Sequence, residues 1–251
     1  MRGTQIMTYY AEKFIVPFYE CDPAGAMHLS AAMNHLVLVS ERQLAAHGLG
    51  PEDMNRLALG WVTTEYLINV TRLPRQHEVI EARTEVSQYN KFFCYRNYWL
   101  FDQAGNELVA VRSTWVVMSL SARRMIKMPE ELTSKYDAPF SKQVLTMPHL
   151  PKLDWAENQV DKAYQVRYFD IDSNRHVNNA HYFDWMLDAL TATFLRENQL
   201  QEMLIRYEHE VRYGDQIQSQ LIQTTAGDQM LTHHRILNGT EIAAEAQVKW
   251  R

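Results

Sequence analysis

Phe14-Ile-Val-Pro-Phe-Tyr-Glu-Cys-Asp22 and Tyr164-Gln-Val-Arg-Tyr-Phe-Asp-Ile-Asp172 lie 150 residues apart and share an order of residue types. In both, a short strand-like run ends in acid-x-acid, with Glu20 and Asp22 answering to Asp170 and Asp172. Each run is followed by a polar opening and a helical pattern, over about Ser30 to His47 and Asn179 to Asn198. Gly48 is placed to close the first helix. Further on, each half has strand-like runs and a Gly-centred turn shortly before a tryptophan, Gly105 before Trp115 and Gly239 before Trp250. Three matches in the same order point to two copies of one β-α-β-β-β unit.

One long helix and several strands joined by hairpin-length turns imply the α+β class, with an antiparallel sheet carrying a helix on one face. Two such sheets can pair edge to edge, which hides edges that otherwise invite aggregation. Pro129, Pro139, Pro148 and Pro151, half of the eight prolines, fall between the copies in a stretch without sustained periodicity. Proline cannot donate to a ladder and stiffens extended chain, so this reads as a semi-rigid connector. The expected organisation is an N-terminal domain over 1–130, a connector over 131–160 and a C-terminal domain over 161–251. One irregular α+β domain with a long loop is the competing reading, although structureless loops of that length are uncommon.

Of the 251 residues, 46% are apolar and 22% charged, which suits a globular chain with a buried core and excludes a disordered one. A net charge of −5 gives no global attraction to nucleic acid or an anionic membrane, so an acidic partner must meet a local basic patch. Two cysteines, Cys21 and Cys94, make no disulfide scaffold and suit a reducing cytosol. Met1 to Phe14 lacks the basic start and apolar stretch of a secretion signal, and no apolar run approaches the ~20 residues of a membrane span. The expectation is a cytoplasmic protein without stable membrane insertion.

Chemistry concentrates in Asp170-Ile-Asp172-Ser-Asn174-Arg-His176-Val-Asn178-Asn179. If the chain is extended there, its period of two puts Asp172, Asn174 and His176 on one side. A helix follows at once, with Asn178 or Asn179 as its N-cap, so backbone N–H groups lie beside those side chains and could receive an anion. Hydrolysis of an ester or thioester needs a base to activate water and donors for the oxyanion. Histidine, with an ordinary pKa of about 6.5, suits the proton transfer, and a thiol of pKa about 8.5 leaves without a strong general acid. The first copy keeps Asp22 but has Ala24 and Ala26 where the second has Asn174 and His176, and His28 comes two positions too late to substitute. This asymmetry fits a duplicated enzyme with one retired site. The ordinary alternative is that acids and histidines near a helix start are caps and surface polar groups.

Other chemistries lack their motifs. No Gly-x-Ser-x-Gly elbow occurs, and Gly48-Leu-Gly50 precedes proline rather than a helix start that would hold a dinucleotide. His233-His234 and His77-Glu78 have no companions at metal-ligand spacing, so no metal is expected. Cys21 reads as a small buried apolar residue. Tyr89 to Trp99, rich in aromatics, is either core strand or the lining of an acyl channel. Arg72, Arg75, Arg123, Arg124 and Lys127 are either a solvated face or a basic docking surface for an acidic protein.

Through Asp172-x-Asn174-x-His176-Val177-Asn178-Asn179-x-x-Tyr182-x-x-Trp185 the chain resembles the acyl-acyl-carrier-protein thioesterases of plant plastids and bacteria. The resemblance continues through Tyr207-x-x-Glu210 and into the first half at Trp61, Pro74, Gly105, Trp115 and Arg123-Arg124, covering nearly the whole chain. It implies a tandem double hot-dog fold, in which each sheet wraps around a long helix. It also implies hydrolysis of a fatty acyl thioester on acyl carrier protein, releasing free fatty acid and ending fatty acid synthesis. The catalytic group it implies is Asp172, Asn174, His176 and Glu210. Plant members often have a cysteine directly after that glutamate; here the position is Val211, which speaks against a cysteine acyl-enzyme. Without the resemblance, Glu210 reads as part of a solvated strand face, because apolar residues alternate with Arg206, Glu208 and Glu210.

In the implied mechanism Glu210 and His176 position and deprotonate water, Asp172 and Asn174 orient them, and N–H groups at Asn178 and Asn179 receive the oxyanion. No resident cofactor is expected, since phosphopantetheine arrives with the substrate, and no nucleic acid partner is expected either. A homodimer stays open. An acyl-CoA thioesterase or hydroxyacyl dehydratase on the same fold, or a non-catalytic acyl-binding module, are the alternatives.

Overall fold

A computed structural model describes residues 9–135, 138–157, 160–173 and 175–251. The first copy runs β1 (Tyr10–Ile15), α1 (Leu29–Ala46), α2 (Pro51–Arg56), β2 (Leu59–Val70), β3 (Val79–Tyr89), β4 (Phe93–Phe101) and β5 (Glu107–Ser119), with a short hairpin strand β6 (Arg124–Ile126). After α3 (Glu130–Thr133), the second copy runs β7 (Val160–Gln165), α4 (Ala180–Leu187), α5 (Ala192–Glu197), β8 (Leu200–Tyr207), β9 (Gln216–Ala226), β10 (Gln229–Asn238) and β11 (Glu241–Trp250). The second copy therefore has one strand more than the β-α-β-β-β expectation, with four strands after its helices, and the first copy has the same set plus the short β6.

All strands join one antiparallel sheet in the order β1-β3-β4-β5-β2-β8-β11-β10-β9-β7, and β6 hangs on β5. The second half of this order repeats the first in mirror sequence. The two sheets meet edge to edge through β2 and β8, from Glu65 opposite Arg206 to Asn69 opposite Glu202. That pairing satisfies backbone groups which each sheet alone would leave at an open edge. The tight hairpins follow from residues able to take positive φ: Gly105 (83°) joins β4 to β5, and Gly239 (62°) joins β10 to β11.

Each sheet buries one face under its helix. Met33 and Leu36 of α1 and Phe183 and Met186 of α4 share one continuous buried core with Ile68, Tyr98, Leu100, Ile205, Ile236 and Val248 of the strands. Gly48, with φ of 65°, ends α1 as expected, and the Leu49 N–H returns to the Leu44 carbonyl at 2.9 Å. The second helix departs from the sequence expectation by breaking after Leu187. Asp188 is drawn outward to Lys162 and to the Tyr164 hydroxyl, and Thr191 restarts the chain as α5 by accepting the Phe194 N–H at 3.1 Å.

The segment between the copies lies against the seam. Met147 packs with Leu67 and Leu204, and Leu150 joins them, so apolar residues of the connector cover the outer face where β2 and β8 pair. Cys94 is buried, and burial pushes its thiol up to about 11. Cys21 is only half-buried, which corrects the expectation of a buried residue; its thiol donates to the Pro17 carbonyl.

Candidate active site

The two motif segments share one backbone pattern. In the first copy a 3-10 turn at Phe18–Glu20 leads to an isolated bridge between Cys21 and Met27; in the second, Tyr168–Asp170 leads to one between Ile171 and Val177. Asp22 N–H bonds the Ala26 carbonyl at 2.8 Å, and Asp172 N–H bonds the His176 carbonyl at 2.9 Å. The next link closes from Gly25 to Asp22 in one copy and from Arg175 to Asp172 in the other, both at 2.9 Å. Gly25 and Arg175 take left-handed φ values of 77° and 67°.

This geometry corrects the extended reading of Asp172 to His176. The chain doubles back in a tight turn, so Asp172 and His176 are neighbours through their backbone bond and not through a period of two. Asn174 lies outside the described residues. Asp170, 1% exposed, anchors the turn: its carboxylate accepts the Arg167 N–H at 2.8 Å and the Arg167 guanidinium at 2.6 Å, and its carbonyl accepts the Asn178 N–H at 3.0 Å. Burial works against its charge, but Arg167 outweighs that and holds the carboxyl below its ordinary range.

Of the two candidate caps, Asn178 serves: its side-chain oxygen accepts the Ala180 N–H at 2.9 Å, and its amide donates to Asn34 of α1 at 3.3 Å. Asn179 already has helical angles and makes no side-chain cap. The His181 and Tyr182 N–H groups bond the carbonyls of Asn178 and Asn179. The helix start is thus poorer in donors than the sequence suggests, although the Asn179 N–H has no acceptor among the described residues.

Glu210 arrives from a separate element. The strand reading is corrected here: β8 stops at Tyr207, and the Glu208 and His209 N–H groups both turn onto the Ala243 carbonyl, so Glu210 sits on a loop. That loop is tied to α4 by Tyr182, which is buried against the core with Val211 and whose ring meets Tyr207 edge-on at 5.2 Å. The Tyr207 hydroxyl in turn donates to the Asn179 carbonyl at 3.3 Å. The loop brings Glu210 Oε1 to 3.2 Å from His176 Nε2, with the two side chains 45% and 48% exposed. The pair can therefore be reached from solvent, as a site acting on an incoming substrate must be. Arg123 Nη2 stands 3.4 Å and Arg212 Nη2 3.9 Å from the other carboxylate oxygen.

Register also identifies what replaces Glu210 in the first copy. Val16 exchanges backbone bonds with Glu78 and His77 as Val166 does with Asp215 and Gly214. The Arg75 N–H bonds the Glu78 carboxylate as the Arg212 N–H bonds that of Asp215, at 2.8 Å in both. Leu73 then corresponds to Glu210. Sequence reasoning missed this, although Arg-x-x-acid in each copy, Arg75 to Glu78 and Arg212 to Asp215, was the signal that marks it.

Of the docking residues, Arg123 turns toward Glu210, while Arg124 and Lys127 are exposed on and just beyond β6. In the aromatic run, β4 sends Cys94 and Arg96 inward to a small cavity of about 20 Å³ shared with Trp61 and Trp115. Phe93 and Tyr95 face outward to a groove of about 350 Å³ under the connector, which extends to Tyr207 and Glu208, close in sequence to Glu210. The run is strand with an opening on each face.

Residues 7–136 match the acyl-ACP thioesterase N-terminal domain and residues 154–251 the C-terminal domain. The chain belongs to the acyl-ACP thioesterase family. The crystal structure of an oleoyl thioesterase (putative) from Lactobacillus plantarum is 38% identical, with a TM-score of 0.95, covering 98% of this chain and 97% of that one. The 12:0-ACP thioesterase from Umbellularia californica shares the double hot-dog fold at 19% identity and a TM-score of 0.86, covering 97% of this chain and 94% of that one. A palmitoyl-acyl carrier protein thioesterase of Arabidopsis thaliana, named as chloroplastic, is 28% identical over 96% of this chain and 63% of its own length. The chain thus spans a little under two thirds of the curated relatives it matches. No described helix is long and apolar enough to cross a membrane.

Proposed function

We propose that this protein hydrolyses fatty acyl thioesters presented by acyl carrier protein, releasing free fatty acid and ending fatty acid synthesis. The observation that carries the proposal is the contact of His176 with Glu210, made by two segments of the second copy that the chain separates and the fold reunites. In the reaction a water oxygen forms a bond to the thioester carbonyl carbon and gives its proton to the His176–Glu210 pair. The carbonyl oxygen carries the negative charge, for which the Asn179 N–H is a donor, with Asn178 fixing the helix start. Collapse breaks the carbon–sulfur bond, and the proton passes to the departing thiolate. Either Glu210 or His176 is the immediate base, since two groups in contact can pass one proton between them. Asp172 and Asn174 orient the imidazole.

The proposed partner is acyl carrier protein, met by Arg124 and Lys127, and phosphopantetheine enters as part of the substrate, so no resident cofactor is invoked. A homodimer is not required by this scheme, because the pairing of β2 with β8 already joins both copies within one chain. A cytoplasmic location fits two unpaired cysteines. The test is a parallel assay on acyl-carrier-protein thioesters, acyl-CoA and hydroxyacyl thioesters. Thiol and free fatty acid should appear fastest from the carrier-borne substrate. Dehydration without thiol release, or tight binding without turnover, would replace the proposal with a dehydratase or a binding module.

A further inference from the structure

Glu210 is held from outside its own domain. Its Oε1 faces His176 at 3.2 Å, while Oε2 lies 3.4 Å from Arg123, which belongs to the β5–β6 hairpin of the first copy. Arg212 is also near Oε2, at 3.9 Å, but it sits two residues along the same loop and moves with the glutamate. Arg123 is the external anchor among the described residues. The pair is half-exposed, so it contributes little to folding stability. Its consequence is orientation: with Oε2 engaged by the guanidinium, Oε1 is the oxygen left to face the imidazole. The arginine also occupies a backbone position of φ 50°, where a residue with a β-carbon is disfavoured and glycine is at ease. The hairpin itself thus gains nothing from arginine here.

We infer that Arg123 is a positioning residue for Glu210, so that the site is composite: the second copy supplies the reacting groups and the first copy aims one of them. This rests on the proposed hydrolysis for its role, but the contact can be tested independently. It reassigns Arg123 from carrier-protein docking, where the sequence placed it.

The same φ supplies a clean test. Arg123→Gly removes the guanidinium while suiting the backbone, so the variant should melt no lower than the parent. Rates are compared on an acyl carrier protein thioester and on an acyl-N-acetylcysteamine thioester, which has no carrier protein to dock. Positioning predicts that kcat falls at least about tenfold on both substrates, that KM for the small thioester is unchanged, and that Arg123→Lys recovers part of the loss. A loss confined to KM for the carrier-borne substrate would overturn the inference and return Arg123 to docking; so would a kcat on the small thioester within twofold of the parent. A second readout needs no turnover: the His176 ring-nitrogen NMR signal should shift in Arg123→Gly toward its position in Glu210→Gln. An unmoved signal would show that Glu210 is held without Arg123, whatever the protein hydrolyses.

Discussion

The two copies carry the same loop on the same frame and differ in what stands on it. Asp22 and Asp172 open matching turns, yet Ala26 stands where His176 does and Leu73 where Glu210 does. The bridges, the 3-10 turns and the left-handed fourth position of the turn are all present in the copy that lacks the histidine and the glutamate. The loop geometry is therefore a folding solution for leading a strand into a buried helix, and the proposed reacting groups are side chains placed upon it. The copies also treat strain differently, since the first uses Gly25 where the second holds Arg175.

The largest effect should come from making the second copy resemble the first. Glu210→Leu should lower kcat on a carrier-borne thioester by about 100-fold or more, the range of general acid–base contributions, with an unchanged melting temperature. Retention of most activity would mean that His176 works without a carboxylate.

An acid-dependent contrast comes next. Register places Tyr98 and His234 at equivalent positions, opposite Thr84 and Leu221, which in turn face Tyr10 and Val160. Burial pushes His234 down to about 3 from an ordinary 6.5, with His233 adding to the effect. Between those values the unfolded chain binds a proton that the folded chain does not, so stability is full above pH 6.5 and is lost as pH falls toward 3. Thermal melts from pH 7 to pH 4 should drop, and His234→Leu should flatten that slope even if it lowers the melt at pH 7; an unchanged slope would contradict the assignment.

The smallest effect concerns the strained turn. Arg175→Gly, which copies Gly25, should stabilise the fold by up to about 1 kcal/mol in urea denaturation, because glycine accepts φ of 67° without steric cost. A loss of stability would show that the arginine side chain holds the loop by contacts of its own.

The sequence comparison read the duplication best where chain length is conserved between copies, from the first strand to the start of the helix. Beyond it, α1 with 18 residues outruns α4 with 8 and shifts the spacing, which hides the match of Leu73 to Glu210 and the extra strand in each copy. The break after Leu187 was invisible because residues 188–191 fit the helical period; the ties of Asp188 to Lys162 and Tyr164 are tertiary. Asp172 and His176 are brought together by a turn, where the sequence pattern suggests an extended strand. Glu210 was legible through family resemblance alone, as its alternating neighbours mimic a strand that in fact ends at Tyr207. The reach of Arg123 across the copies is a long-range contact with no local signature.

The most direct test of a single working site is a paired substitution at equivalent positions, read as kcat on an acyl carrier protein thioester alongside thermal melts. His176→Ala should lose about 100-fold or more, while Ala26→His should leave kcat within twofold of the parent. Comparable losses in both copies, or near-normal turnover by His176→Ala, would contradict the division of labour between them.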